Sequence, residues 1–404
     1  MEIRSITFFC NPGFPVNKLL LQKAGIFMRH ARAAYEKAGF VVQTVRLATP
    51  PFPLYLQPKN YLLGAQTIAF EAHGEGFDYF SIGPALAEFP SAYEAIPTIL
   101  SETKGLFVSG LTTTSAGQLS QPAIRACAEI MVKAAVLEKD GFANLRFASL
   151  ANVPAYAPFF PAAYSAEAQP AFALAIEAAD LAVQAFSSAT TLANARAILI
   201  YEIESNARKL EAVADQLQSI YKYDFKGLDF TLAPFPKENL SIGTAIQKIG
   251  LPVVGYQGTL AASAFITDTL DQAKFKRCGF NGLMLPVLED YTLGQSAAQG
   301  TLAVSALLLF SAVCGTGLDV IPLPGDTSAE EIYPVLLDLS ALALRLNKPL
   351  TARLLPMPGK KAGDETNFDF EYFTNTRVML LNAKPLHGLL AGQELLTISP
   401  RQRE

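Results

Sequence analysis

Residues that usually carry soft-metal and redox chemistry are scarce in this chain. Its three histidines, His30, His73 and His387, lie far apart, so neither an H-E-x-x-H motif nor a local multi-histidine zinc site can be drawn. The four cysteines at 10, 127, 278 and 314 contain no C-x-x-C pair, which excludes a zinc ribbon, a thioredoxin motif or a dense disulfide scaffold. No basic run of five or more residues occurs and net charge is −4, so the electrostatic footprint of a nucleic-acid partner is missing. The longest apolar run, Leu302 to Val313, contains Ser305 and Ser311 and falls well short of the ~20 residues a membrane span needs. It reads as a buried helix. The start, Met1-Glu-Ile-Arg-Ser-Ile-Thr, reads as a first strand and not a signal peptide. Together these features point to the reducing cytoplasm, with neither membrane nor nucleic acid as partner.

What is present is hydrophobic and strongly patterned. Half of the 404 residues are hydrophobic, enough for a large core. Strand-like runs are Ile3 to Phe9, Val41 to Leu47, Leu106 to Ser109, Leu145 to Leu150, Leu228 to Ala233, Leu283 to Val287, Leu318 to Leu323 and Leu350 to Leu355. Helical spacing covers Lys18 to Lys37, Pro122 to Leu137, Ala171 to Phe186, Leu192 to Tyr223, Leu260 to Ala273, Ala297 to Val313 and Ser328 to Leu346, the last opened by a capping box at Thr327-x-x-Glu330. Strands alternating with helices predict an α/β architecture, largely parallel, with the helices outside. Further strand candidates are Phe368 to Phe373 and Arg377 to Leu381. A single domain is expected, with 382–404 as a C-terminal tail.

Two strands end in similar turns, Ile321-Pro-Leu-Pro-Gly325-Asp326 and Leu355-Pro-Met-Pro-Gly359-Lys360-Lys361. One turn carries an acid and the other paired bases, at strand ends where α/β proteins hold ligands. Asp319, between Leu318 and Val320, is expected to be partly buried and therefore to need a cation. Arg353, inside the next strand, can fork onto a carboxylate, and Lys360 and Lys361 offer further positive charge. Glu289 and Asp290 follow another strand; with Asp319 and Asp326 they could bind Mg²⁺ or Ca²⁺, or divide into acid and base. Asp326 equally suits a helix N-terminal acid. Cys314 opens Cys-Gly-Thr-Gly317, which reads either as an exposed loop thiol or as a buried, inert one. Val320 stands where a dinucleotide fingerprint needs glycine, and Leu354 where a Walker A loop does, so NAD is not expected. Ser109, Thr112 and Thr113 form a hydroxyl-rich strand-to-helix loop that suits an anion or plain helix capping. Tyr256 and Gln257 precede another helix.

Cys314-Gly-Thr-Gly-Leu-Asp-Val-Ile-Pro-Leu-Pro-Gly-Asp-Thr327, followed by Arg353-Leu-Leu-Pro and Pro358-Gly-Lys-Lys-Ala-Gly-Asp364, resembles the signature of the UPF0210 (DUF711) family of uncharacterised proteins. Ile82-Gly-Pro-Ala, Ser101-Glu-Thr, Asp229-Phe-Thr-Leu-Ala-Pro-Phe-Pro and Leu285-Pro-Val-Leu-Glu-Asp290 extend the likeness over nearly the whole chain. The resemblance implies a ten-stranded α/β barrel akin to pyruvate formate-lyase-like glycyl radical enzymes, built of two antiparallel halves, with Cys314-Gly-Thr-Gly317 on a loop threaded inside. Arg377-Val378-Met379-Leu380 lacks the glycine of the radical motif, so no glycyl radical is implied. Tyr256-Gln257 stands where relatives carry Thr-His, which weakens any histidine-based proposal.

The resulting expectation is a non-radical enzyme acting on a small carboxylate or other anionic metabolite inside the barrel. Cys314, Asp319 and Glu289 are its candidate catalytic residues. Arg353, Lys360, Lys361, Ser109, Thr112, Thr113, Tyr256 and Gln257 are candidates for binding, and Asp290 and Asp326 for a metal. The alternatives are a metabolite-binding regulator without catalysis, or a structural oligomer joined through the loops Pro50 to Pro58 and Pro154 to Pro161. A homodimer is expected.

Overall fold

The computed structural model describes residues 1–166 and 169–400. The terminal Arg401-Gln-Arg-Glu404 lies outside the described residues. The strands are β1 (Glu2–Phe9), β2 (Val42–Ala48), β3 (Tyr79–Ala85), β4 (Leu106–Leu111), β5 (Leu119–Ser120), β6 (Phe147–Ala151), β7 (Ala171–Glu177), β8 (Asp224–Ala233), β9 (Gly317–Pro324), β10 (Leu350–Met357) and β11 (Leu395–Leu396). The helices are α1 (Lys18–Lys37), α2 (Tyr61–Gly74), α3 (Pro90–Glu102), α4 (Gln121–Ala135), α5 (Ala179–Ser188), α6 (Leu192–Tyr221), α7 (Ile242–Lys248), α8 (Thr259–Gln272), α9 (Tyr291–Ala298), α10 (Val304–Phe310) and α11 (Ala329–Leu346).

Among the described residues the main sheet has nine strands in the order β8-β7-β1-β2-β3-β4-β6-β10-β9. β1, β2, β3, β4 and β6 run parallel to one another. β7 and β10 join this block antiparallel, through β1 and β6, and carry the parallel partners β8 and β9. The sheet therefore has two edges, at β8 and β9. Segment 276–287, expected as a strand over Leu283 to Val287, is irregular backbone that bonds to both edges. Leu228 N donates to the Lys276 carbonyl at 2.8 Å, and Val287 N donates to the Asp319 carbonyl at 3.2 Å.

The packing explains several differences from the expected elements. Ala171 to Phe186 is not one helix: Ala171–Glu177 is a fully buried strand, and α5 begins at Ala179. Its alanine-rich composition favours helix, but a central slot between β1 and β8 overrides that weak propensity. Ala297 to Val313 is broken after α9, where Gly300 takes φ +73°, and resumes as α10. The capping box of α11 sits one residue later than expected, at Ser328 and Glu331. Phe368 to Phe373 and Arg377 to Leu381 are not strands. No helix among the described residues is long and apolar enough to cross a membrane.

Two positions show why glycine is required. A Cβ on Gly282 would lie 2.1 Å from the Gly315 Cα, so the irregular segment can cross the Cys314-Gly-Thr-Gly317 loop only with glycine on both sides. The paired Pro-Gly turns are neighbours, because β9 and β10 run parallel to their ends and Gly325 N donates to the Lys360 carbonyl at 2.9 Å.

Candidate functional site

Side chains two residues apart in a strand share a face, and this periodicity builds one cavity of about 510 Å³ against the main sheet. Its wall includes Arg4 from β1, Thr44 and Arg46 from β2, Tyr79 from β3, Phe107 from β4, Thr351 and Arg353 from β10, and Asp319 from β9. Phe280 and Met284 enter from the segment between the sheet edges, Glu289 from the turn that follows it, and Phe370 and Tyr372 from the C-terminal region.

Inside lies an alternating chain of charges. Arg353 Nε donates to Asp319 Oδ1 at 2.7 Å, and its Nη2 donates to Asp319 Oδ2 and Glu289 Oε1, both at 3.0 Å. Arg4 donates to Glu289 Oε2 at 3.0 Å and to Glu177 Oε2 at 2.9 Å. The sequence Glu177–Arg4–Glu289–Arg353–Asp319 thus has a carboxylate at each end. Burial pushes the Asp319 and Glu177 carboxyls above their ordinary range, against the pull of Arg353 and Arg4 respectively.

The backbone is irregular at two points along this chain of charges. Arg4 lies where the β1–β7 register breaks between Ile3 and Ser5. Asp319 and Val320 lie where the β9–β10 register breaks, opposite Arg353, and Val320 has φ +41°. A β-branched residue rarely takes that conformation, and such strain costs about 1–3 kcal/mol and clusters at functional sites. The irregularity re-aims Asp319 at the guanidinium of Arg353.

Arg46 is the exception in this cluster. It is 9 % exposed, and among the described residues no carboxylate lies within ion-pair distance of it. Its Nε donates to Thr44 Oγ1 at 2.9 Å, and the guanidinium lies 5.1 Å from the Phe160 ring centre and 5.7 Å from that of Tyr79. Burial, and then repulsion from Arg4, pull its pKa down to about 9, which leaves it cationic at neutral pH. Buried charges are normally paired, so Arg46 is the unusual group here. The sequence signal that could have found it is the one that marked Arg353, a lone arginine inside an apolar strand.

The other sequence candidates are dispersed. Cys314 is fully buried in the main core, and its loop contributes Thr316 to the cavity wall instead. Lys360 Nζ donates to the Glu365 carbonyl at 2.7 Å, while Lys361 is exposed. Ser109 and Thr113 are buried, and Thr112 shares a 2.8 Å hydrogen bond with Ser340 and donates to the Leu150 carbonyl. Tyr256 and Gln257 are exposed. Asp290 is fully buried and caps two helices, accepting from Ile242 N and Ser241 Oγ at the start of α7 and from Leu293 N in α9. Asp326 is exposed. Among the described residues, no three His, Cys, Asp or Glu side chains gather as a metal set.

The fold and site define a mixed α/β protein with an internal cavity lined by arginines, carboxylates and aromatic rings. The family model described as "Uncharacterised ACR (DUF711)" matches residues 1–374. Similar proteins include a UPF0210 protein of Pyrobaculum islandicum, 31% identical over 360 residues that span 83% of this chain and 79% of the relative. UPF0210 proteins of Acetivibrio thermocellus, 29% identical over 82% of this chain and 77% of the relative, and of Oenococcus oeni, 25% identical over 87% and 82%, match over similar spans. The chain belongs to the UPF0210 (DUF711) family.

Proposed function

We propose that this chain takes a small anionic metabolite, a carboxylate in the first instance, into the internal cavity and transforms it by non-radical acid–base chemistry. The observation that carries this reading is Arg46, a buried guanidinium with no carboxylate partner among the described residues. A ligand carboxylate on its free Nη donors would form a charge-assisted hydrogen bond and relieve the burial of an unpaired cation. Asp319 is the acid–base candidate, because burial favours its protonated form while Arg353 favours the ionised one, and the two pulls oppose each other.

The enclosure such chemistry needs would come from the ten-stranded barrel that the sequence resemblance implies. Segment 276–287 would be its tenth member, a reading supported by that segment's hydrogen bonds to both β8 and β9.

A regulatory binder without turnover is the second reading. It is favoured by Glu289 and Asp319 having their oxygens occupied by Arg4 and Arg353, so that neither of these two carboxylates stands free as a base. Incubating the protein with a panel of carboxylates, and following both heat of binding and new proton NMR signals, separates the two. Binding with product supports the enzyme, and binding without product supports the regulator. No binding by any member rejects both.

A further inference from the structure

Charge and wall composition together restrict what the cavity can take. Three guanidiniums, Arg4, Arg46 and Arg353, face three carboxylates, Glu177, Glu289 and Asp319, so the cluster is neutral before any ligand enters. Arg4 and Arg353 are fully engaged by the carboxylates, which leaves one cation for one anionic group. A second anionic group placed within the cluster would be repelled by Glu289 and Asp319, and the further cations of the wall, Lys104 and the Glu138-paired Arg146, lie outside it.

Beyond the cluster the wall is largely aromatic and apolar, with Lys104 and the Glu138–Arg146 ion pair at one side. Phe107, Phe159, Phe160, Phe280 and Met284 line it, with Phe107 meeting Tyr79 and Phe160 edge-on at ring separations of 5.4 and 5.3 Å. Two of these rings, Tyr79 and Phe160, also flank Arg46. A cation set among ring faces places a carboxylate next to surfaces that welcome a flat apolar body. A volume of about 510 Å³ is that of a typical small-molecule pocket and far exceeds what an acetate or phosphate ion fills.

We infer that the ligand is a monocarboxylate with an aromatic or similarly flat apolar body, held by its carboxylate on Arg46 and by its ring among Phe107, Phe160 and their neighbours. A second anionic group is disfavoured beside the carboxylates of the cluster, and small hydrophilic acids leave the rings uncovered. This inference rests on the proposed anion site at Arg46 and adds the chemical class of the ligand.

The test is calorimetric titration of the wild-type protein with 3-phenylpropanoate, acetate, succinate and inorganic phosphate, repeated on Arg46→Met and Phe107→Ala. The inference predicts that 3-phenylpropanoate binds at least about 10-fold more tightly than acetate, since its ring leaves water, and that succinate and phosphate bind more weakly still. Arg46→Met should abolish binding, and Phe107→Ala should weaken the aryl acid while leaving acetate unchanged. If acetate, succinate or phosphate binds in an Arg46-dependent way and the aryl acid gains nothing, the ligand class is wrong while the anion site stands. If no anion binds, or binding survives Arg46→Met, both fail. The wild-type comparison decides the ligand class even if a variant does not fold.

Discussion

Arg353 grips Asp319 through two parallel hydrogen bonds, Nε to Oδ1 at 2.7 Å and Nη2 to Oδ2 at 3.0 Å, with both side chains buried. Removing one member of such a pair strands the other without solvent, a loss of about 3–5 kcal/mol. Arg353→Ala should therefore cut unfolding free energy in urea by about that amount, whereas Arg353→Lys, which keeps the charge but loses the fork, should cost less. Equal, small losses from both would mean that the pair is not buried as described.

Asp290 holds two helix starts at once, α7 through Ile242 N and Ser241 Oγ and α9 through Leu293 N. Asp290→Ala leaves these buried donors without an acceptor, so a loss of about 2–4 kcal/mol is expected from denaturant unfolding. Adding Mg²⁺ or Ca²⁺ to the wild-type protein checks the metal expectation at the same residue. A cation-dependent rise in melting temperature that disappears in Asp290→Asn would assign Asp290 a ligand role beyond its capping one.

The crossing of Gly282 and Gly315 admits no side chain on either residue. Gly282→Ala should force the two backbone segments apart and cost about 1–3 kcal/mol or more. Because Gly315 precedes Thr316 on the cavity wall, the same change should weaken ligand binding. A variant with wild-type stability would show that the approach is looser than described.

Much of this was readable in the sequence, and the unread part has a common cause. The α/β alternation, α1 to its residue bounds, and the β9–β10 pair of Pro-Gly turns follow from local pattern. So does the need of Asp319 for a cation, and Arg353 in the next strand as its supplier. Arg4, Glu177 and Arg46 were not singled out, because they join the cluster from β1, β7 and β2, far away in sequence. Strand β7 was hidden for the same reason, since alanines that would suit a helix are held in the sheet by its neighbours. Conversely, Asp290 carried a metal-like pattern because a carboxylate that caps buried helix ends has the same local surroundings in sequence as one that binds a cation.

Arg46 also sets a pH dependence. Its folded pKa of about 9 lies below the ordinary arginine value, so between the two the unfolded chain binds more protons and the Arg46 contribution to stability rises with pH. Below about 9 both states hold the proton and the full penalty of the buried cation remains. Arg46→Met should therefore be more stable than wild type at neutral pH, by about 1–3 kcal/mol, and the gap should narrow as pH rises beyond about 9. Anion affinity should fall over the same range. Melting curves of both proteins from pH 7 to 11 test the sign, and a gap that widens with pH would contradict it.

The most direct test of the account is a crystal of the wild-type protein soaked with benzoate as a simple aryl monocarboxylate. The account predicts density for one benzoate in the cavity, with its carboxylate within about 3 Å of the terminal nitrogens of Arg46 and the Arg353–Asp319 pair undisturbed. Benzoate seated instead on Arg353 or Lys360, or a cavity that stays empty at saturating benzoate, would contradict it.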